Sequence, residues 1–171
     1  MRYTVSHPGP GTTVAARGFA PHDHAACVAG ALSEAERRAS EEGLRLTPAR
    51  RRVLEILLEA HRALGAYEVL ERLGGDRPAQ PPTAYRALDF LVAHGFAHRV
   101  ESLNAFVACA HPGAAHAPAF LICRDCRKVA ESATEAGAGR LADAARDAGF
   151  TIESAVLEAE GLCPACADAR A

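Results

Sequence analysis

Four cysteines stand in two Cys-x-x-Cys pairs, Cys123 with Cys126 and Cys163 with Cys166. Each pair brings two sulfurs onto one tight turn, and four thiolates complete the tetrahedral coordination of Zn²⁺ without leaving a position for chemistry. A disulfide framework is typical of short secreted chains, and a redox Cys-x-x-Cys needs one pair on a thioredoxin-like βαβ unit. The two matched pairs therefore predict a structural zinc site that ties together the two ends of a small domain.

A second group of potential ligands lies between the two halves of the chain. Cys109 and His98 stand on the two strands of a predicted hairpin. His116 falls in the linker that follows, and Glu131 comes just after the first cysteine pair. Together they supply one sulfur, two nitrogens and one oxygen, which is a suitable tetrahedral set for Zn²⁺. Because these ligands come from two domains, metal binding would stabilise only the arrangement that brings them together.

Each of these residues also has an ordinary structural explanation. Cys109 could be a small core residue, His98 a surface histidine and Glu131 a solvated acid. The linker also contains His111, which stands only two residues after Cys109. We therefore favour His116 over His111 as the fourth ligand.

The elements that would position these ligands follow from apolar periodicity and from helix caps. A helix is predicted at 27–42, and Thr47 caps a second one that starts at Pro48. Further helices are predicted at 66–73 and 83–94, with strands at 97–100 and 105–108, and this order makes a winged helix-turn-helix. The cysteine-bearing half predicts strands at 119–122, 129–131 and 151–159 and a helix at 134–148. The fold class is therefore α+β, with a winged helix-turn-helix domain joined to a small α/β domain whose sheet edges a partner subunit could pair with.

The last helix before the hairpin has the composition of a recognition helix. Thr83, Tyr85 and Arg86 stand near its N-terminus, the end that meets base edges in the major groove. Arg86 can pair bidentately with a guanine, and Thr83 and Tyr85 can contact phosphates or a thymine methyl. An ordinary amphipathic helix would also expose Arg and Tyr, but the helix order, the hairpin and the arginine cluster at 50–52 favour DNA contact. We also assign Arg50 and Tyr67 to the DNA-binding surface.

The charge distribution separates the two halves. The net charge is −2 overall, but nine arginines against six acidic residues make the segment 43–100 +3, which leaves −5 for the rest. A basic middle followed by an acidic, cysteine-bearing end favours two domains with different partners. We accordingly predict a DNA-binding domain at 21–109, a hinge at 110–118 and a dimerisation and metal-binding domain at 119–171.

The first twenty residues are rich in Gly, Pro and Thr and lack the apolar run of a signal peptide, so we predict a disordered tail at 1–20. Whether His22, His24 and Cys27 bind a third metal is left open, since histidines in a tail are usually solvated. No stretch reaches the ~20 apolar residues of a membrane span, and a cytoplasmic location is expected, where thiols stay reduced. An enzyme is disfavoured, because closed Cys₄ coordination leaves no water on the metal and the chain shows no nucleophile–base pair.

Three segments carry a resemblance to a known family. The run Leu-Arg-Leu-Thr-Pro-Ala-Arg at 44–50, the run Pro-Thr-Ala-Tyr-Arg-Ala-Leu at 82–88 and the paired cysteines resemble the ferric uptake regulator family. The resemblance extends from about residue 24 to residue 167 and leaves the N-terminal tail outside. The stretch Gly-Phe-Ala-His-Arg-Val-Glu-Ser at 95–102, with Ala108 and Cys109 after it, is similar to the zinc uptake regulator branch.

The resemblance implies a homodimeric repressor that binds double-stranded operator DNA when zinc is plentiful and controls zinc uptake genes. It points to His98, Cys109, His116 and Glu131 as the sensory site, so that each subunit would hold two Zn²⁺ ions. The alternatives are an iron- or peroxide-responsive regulator of the same family and a zinc-storage protein. Only His116 stands where iron-sensing relatives usually carry a histidine-rich run, and the sulfur of Cys109 favours Zn²⁺ over Fe²⁺.

Overall fold

A computed structural model describes residues 17–19, 23–60, 62–75, 80–110, 112, 117–134, 139–153 and 155–170. Within them lie the helices α1 (His24–Glu41), α2 (Pro48–Leu58), α3 (Ala66–Gly74), α4 (Pro81–Ala93), α5 (Gly139–Asp147) and α6 (Pro164–Asp168). The strands are β1 (Ala97–Val100), β2 (Ala105–Ala108), β3 (Ala117–Cys123), β4 (Val129–Thr134) and β5 (Leu157–Gly161). A 3₁₀ turn, Arg17–Phe19, precedes α1.

Helices α1 to α4 pack around one hydrophobic core. The Asp23 carboxylate caps α1 by accepting the Ala26 N–H at 3.1 Å, and the Thr47 hydroxyl caps α2, whose first residue is a proline. Val53 and Leu88 are completely buried where α2 meets α4. Burial of each such aliphatic side chain contributes roughly 1.5–3 kcal/mol. This half therefore has a core of its own.

The strands β1 and β2 form an antiparallel hairpin behind α4, with His98 opposite Val107. Asn104 turns the chain between them at φ 45°, in the left-handed region that Asn tolerates better than most residues. Leu64, in the connection between α2 and α3, exchanges two backbone hydrogen bonds of 2.8 Å with Phe106. The hairpin is thus fastened to the helices as a wing.

The three remaining strands form a second sheet in the order β4-β3-β5. β3 is antiparallel to β4 and parallel to β5, and α5 lies in the crossover that a parallel pair requires. Phe120 of β3 stands in register with Glu131 of β4 on one side and with Glu158 of β5 on the other. Side chains paired in this way share one face of a sheet, so these three residues form a row across it.

A second hydrophobic cluster joins the wing to this sheet. Val100 and Val107 of the wing are buried together with Phe120, Ile122 and Val129 of the sheet. The two halves of the chain therefore share a small apolar interface, with the row of Glu131, Phe120 and Glu158 beneath the wing.

The structure confirms the helices and wing, and it differs from the sequence prediction mainly toward the C-terminus. α4 begins two residues earlier than predicted, at Pro81. The predicted helix at 134–148 is shorter, at Gly139–Asp147, and the predicted strand at 151–159 is confined to Leu157–Gly161. α6 was not predicted. β5 is the segment that pairs with β3, from Leu157 opposite Ala119 to Gly161 opposite Cys123.

Residues 17–19 of the predicted tail lie against the sheet rather than extending away from it. A Cβ added to Gly18 would stand 2.9 Å from both the Cα of Ala130 and the carbonyl oxygen of Val129. Only glycine permits that approach to β4, because both obstacles are backbone atoms. No described helix is long and apolar enough to cross a membrane.

Candidate metal centres and nucleic-acid interface

The four cysteines of the two Cys-x-x-Cys pairs converge. Cys123 ends β3, Cys126 stands in the turn before β4, and Cys163 is the residue just before α6, which carries Cys166. All four sulfurs lie within 4.8 Å of one another, and those of Cys126 and Cys163 are 3.7 Å apart. Sulfurs placed ~2.3 Å from a zinc ion at tetrahedral angles are about 3.8 Å apart, so this donor set fits Zn²⁺.

Backbone hydrogen bonds hold the two cysteine turns together. Arg127, at φ 61°, closes the first turn by donating its N–H to the Cys123 carbonyl at 2.9 Å. Arg124 donates its N–H to the Gly161 carbonyl at 2.9 Å and so links the first turn to β5. The positions of the sulfurs are therefore set by main-chain geometry.

The protonation of these thiols is uneven. Backbone N–H groups, first of Cys126 and then of Cys163, lower the pKa of the Cys123 thiol to about 6. The Cys163 N–H lies 3.4 Å from that sulfur. The side chain of Cys163, hydrogen-bonded to Cys166, raises the pKa of the Cys166 thiol to about 12. Near neutral pH, Cys123 is ionised before metal binds and Cys166 must lose its proton to bind it.

A second cluster lies where the wing meets the sheet. Donor atoms of His98, Cys109 and Glu131 lie within 4.8 Å of one another. The His98 Nε2 is 3.3 Å and the Cys109 sulfur 3.9 Å from Oε1 of Glu131. Tetrahedral zinc distances correspond to about 3.4 Å between nitrogen and oxygen and about 3.6 Å between sulfur and oxygen, so these three donors also fit Zn²⁺.

The surroundings of this second cluster hold its members in place. Cys109 and Glu131 are buried, at 5% and 8% exposure. The other oxygen of Glu131 accepts the Ala110 N–H at 2.8 Å, and the His98 ring lies 5.7 Å from the Phe120 ring. Such outer contacts orient ligands toward a metal. A cavity of about 560 Å³, lined by Cys109 and Glu131 among others, gives access to the cluster.

The remaining histidines suggested by the sequence fall outside what can be described. His116, the predicted fourth ligand, and His111, its alternative, lie outside the described residues, and so does His22. The described His24 places its Nε2 3.1 Å from the Glu59 carbonyl oxygen, and Cys27 is exposed. Among the described residues, the two clusters above are the only groups of three or more potential ligands.

The N-terminal part of α4 presents the predicted DNA-binding side chains to the outside. Thr83 and Arg86 are exposed and Tyr85 is 42% exposed, while Ala84 and Leu88 face the core. Tyr67, at the start of α3, is 78% exposed. These side chains lie on the outer face of α3 and α4, where a large partner could contact them.

Arg50 has a structural role that its sequence position did not reveal. Its guanidinium carbon lies 3.5 Å from the centroid of the Phe90 ring, and its Nη1 donates to the Arg45 carbonyl at 2.6 Å. This half-buried arginine therefore supports α4 from behind through a cation–π contact.

The neighbouring arginines are less available than the sequence suggests. Arg51 pairs with Glu36 at 2.6 Å and with Glu55, and Arg52 pairs with Glu55 and Glu59, each at 3.1 Å. These acids offset much of the positive charge that the arginine cluster would otherwise offer to DNA.

Comparison with known proteins identifies the family. Residues 41–160 match the model of the ferric uptake regulator family. The zinc uptake regulation protein of Escherichia coli (strain K12) is 39% identical over 142 residues, which covers 82% of this chain and 83% of that protein. A solved zinc uptake regulator in complex with zinc and DNA has a TM-score of 0.77 and 38% identity, over 84% of this chain and 97% of the other.

The chain superposes better on a holo regulator than on an apo one. Holo XcZur is 44% identical, over 80% of this chain and 96% of its own, with a TM-score of 0.72. Apo XcZur, at 42% identity over 83% and 99%, has a TM-score of only 0.50. This chain belongs to the ferric uptake regulator family.

Proposed function

We propose that the protein is a zinc-responsive transcriptional repressor, which binds operator DNA as a homodimer and represses zinc uptake genes when zinc is loaded. The observation that carries this proposal is the convergence of His98 and Cys109, from the wing, with Glu131, from the sheet. Relatives named as zinc uptake regulators, one solved with zinc and DNA, support it. Members of this family are transcription regulators and not enzymes.

The cluster at the wing would be the regulatory site. His98, Cys109 and Glu131 would hold the ion, with His116 as the fourth ligand. A bound Zn²⁺ would supply the divalent charge that all four donors coordinate. His98 and Cys109 belong to the half that contains the wing and the helices, whereas Glu131 belongs to the sheet. The donors would therefore meet only in the arrangement of the two halves seen in this structure, the closed arrangement. The proposed boundaries are 21–109 for the DNA-binding domain, 110–118 for the hinge and 119–171 for the dimerisation domain.

The Cys₄ cluster would be the structural site and would bring the count to two Zn²⁺ per subunit. Its sulfurs connect the ends of β3 and β5 with α6. Among the described residues of this half few side chains are buried, and helix α5 contributes only Ala142 to them. The metal would supply the stability that so small a core lacks.

The dimer would form through the sheet domain. β5 is an edge strand, and Leu157 within it is 48% exposed. Leu141, Phe150 and Val156 are more than half exposed on the same domain. An edge strand beside apolar side chains is a surface that a second copy can cover.

DNA would be contacted by α4 and the start of α3. Arg86 would pair with a guanine, while Thr83, Tyr85 and Tyr67 would contact the backbone or a thymine methyl. Arg50 would act mainly by supporting α4 through Phe90. Two copies in one dimer would place two such helices on successive half-sites.

Iron- or peroxide-responsive regulation is the alternative within the family. The buried sulfur of Cys109 argues for zinc, since thiolates favour Zn²⁺ over the harder Fe²⁺. A zinc-storage protein would need no DNA-binding surface, so the side chains exposed on α4 argue against storage.

The test is metal specificity. A duplex selected from a random pool with the zinc-loaded protein is titrated, by fluorescence anisotropy, with protein stripped at the regulatory site and reloaded with Zn²⁺ or with anaerobic Fe²⁺. We expect Zn²⁺ at buffered trace concentrations to restore binding. Restoration by Fe²⁺ alone would support the alternative regulator, and equal affinity with and without metal would support storage.

A further inference from the structure

A carboxylate of the sheet domain holds the tip of the wing. Glu158, on β5, accepts the backbone N–H of Glu101 at 2.6 Å with Oε1 and that of Ser102 at 3.0 Å with Oε2. Residues 101–104 form the turn that joins β1 to β2. The contact therefore joins the two halves of the protein and involves no residue of either metal-ligand cluster.

The bonding pattern is specific for an ionised carboxylate. Two successive N–H groups form a concave donor pair, and one carboxylate with two oxygens satisfies both. Partial burial acts to raise the pKa of Glu158, but hydrogen bonds from the Ser102 hydroxyl and from the two backbone N–H groups lower it overall. The charged form is thus the one that the wing recognises.

The position of Glu158 in the sheet relates it to the metal cluster. Glu131 and Glu158 occupy the two outer strands of the three-stranded sheet, in register with Phe120 between them. Strands two apart in a sheet are separated by about 10 Å. The wing therefore rests on Phe120 with a carboxylate on each side, of which Glu131 contacts His98 and Glu158 contacts the turn.

We propose that Glu158 is a positioning residue for the zinc response, a metal-independent clamp that favours the closed, DNA-competent arrangement and so sets the zinc concentration at which repression begins. This inference rests on the function proposed above. In the proposed function Glu158 contacts neither the metal nor the DNA. It acts by holding the wing, which carries His98 and precedes Cys109.

The expected effect follows from population shift. If only a fraction of the metal-free protein is closed, the apparent zinc affinity is reduced by that fraction. Loss of the clamp lowers the closed fraction and moves the zinc response to higher concentration. Saturating zinc still selects the closed arrangement, so operator affinity there changes little. Two charge-assisted hydrogen bonds at a partly exposed site correspond to a shift of about 3- to 10-fold.

The experiment compares Glu158→Gln with Glu160→Gln. Glu160 is exposed two residues further along β5, so its substitution makes the same charge change without touching the wing. Binding to the selected duplex is measured over a series of buffered free zinc concentrations, and zinc content and dimerisation are measured alongside. We expect Glu158→Gln to raise the half-maximal zinc concentration about 3- to 10-fold, with affinity at saturating zinc within about twofold of wild type. Glu160→Gln should match wild type.

Equal zinc midpoints for the two variants would overturn the clamp. If Glu158→Gln impairs dimerisation, the clamp is tested instead with Ser102→Ala, which removes the wing's hydroxyl donor and leaves β5 unaltered. That variant should shift the midpoint in the same direction by a smaller factor, and an unchanged midpoint would reject the proposal. A wild-type protein whose DNA binding ignores zinc would instead contradict the proposed function.

Discussion

Substitution Cys163→Ser should unfold the sheet domain while leaving the winged helix folded. Cys163 is 4% exposed, donates its N–H to the Cys123 sulfur and belongs to the cluster in which four sulfurs fit one zinc ion. A structural zinc in a small domain contributes about 10–16 kcal/mol near neutral pH, whereas a whole domain is typically stable by only about 5–15 kcal/mol. Loss of one ligand therefore removes a free energy comparable to the domain's entire stability.

The two halves should respond differently because the helices of the first half pack around a core to which the sheet contributes no buried residue. The four helices of the winged-helix half have 18, 11, 9 and 13 residues, against 9 and 5 for α5 and α6. Circular dichroism should therefore retain most of its helical signal, while sedimentation should show a monomer and zinc analysis should show no structural ion. Cys27→Ser is the matched control, since Cys27 is exposed and belongs to neither cluster. A Cys163→Ser protein that stays dimeric, with the thermal midpoint of wild type, would refute the structural assignment.

Three further predictions concern DNA, protons and the N-terminal turn. Arg86→Ala should weaken binding to the selected duplex by about 1–3 kcal/mol and to random duplex by less; equal losses would make Arg86 a phosphate contact. The pKa of the Cys123 thiol is lowered to about 6, so metal-free Cys123 is ionised at pH 7 and protonated below pH 6, and loading the Cys₄ site should release more protons below pH 6 than at pH 7; calorimetry in buffers of different ionisation enthalpy measures this, and proton release independent of pH would contradict it. Gly18→Ala should detach the 3₁₀ turn from β4 and increase protease cleavage before α1, whereas Gly30→Ala, which meets nothing within 4 Å, should not; equal cleavage would show that the close approach is unimportant.

Local signals make most of the fold predictable from the sequence. Thr47 followed by Pro48 marks a helix start, and the short strands at 97–100 and 105–108 agree with the structure to the residue. The stretch before Leu157 alternates like a strand, but its described residues pair with no strand, and periodicity alone does not contain that information. Pairing with β3, rather than the alternation of apolar residues, determines where β5 begins.

The candidate site residues also differ in how far the sequence predicts them. The Cys-x-x-Cys spacing is local, so the four sulfurs can be assigned together from the sequence alone. Glu131 can be suggested only as one of several acids, because its approach to His98 and Cys109 depends on how the wing rests on the sheet. Glu158 escapes sequence reasoning, since its partners are backbone N–H groups more than fifty residues away that no side-chain pattern reports. The ion pair of Arg51 with Glu36 is hidden in the sequence because it depends on how α1 and α2 pack, whereas the pairs of Arg51 and Arg52 with Glu55 follow from helical spacing within α2.

The central claim is that zinc at the junction of wing and sheet controls DNA binding. The most direct measurement is the affinity of Cys109→Ser for the selected duplex over a series of buffered free zinc concentrations, beside wild type and Cys27→Ser. Wild type should gain on the order of 5–150-fold in affinity as zinc rises, which is the usual range of allosteric coupling. Cys109→Ser should stay dimeric, keep its Cys₄ zinc, bind one zinc fewer per subunit and remain near the metal-free affinity throughout. A Cys109→Ser protein with the zinc dependence of wild type would contradict the account.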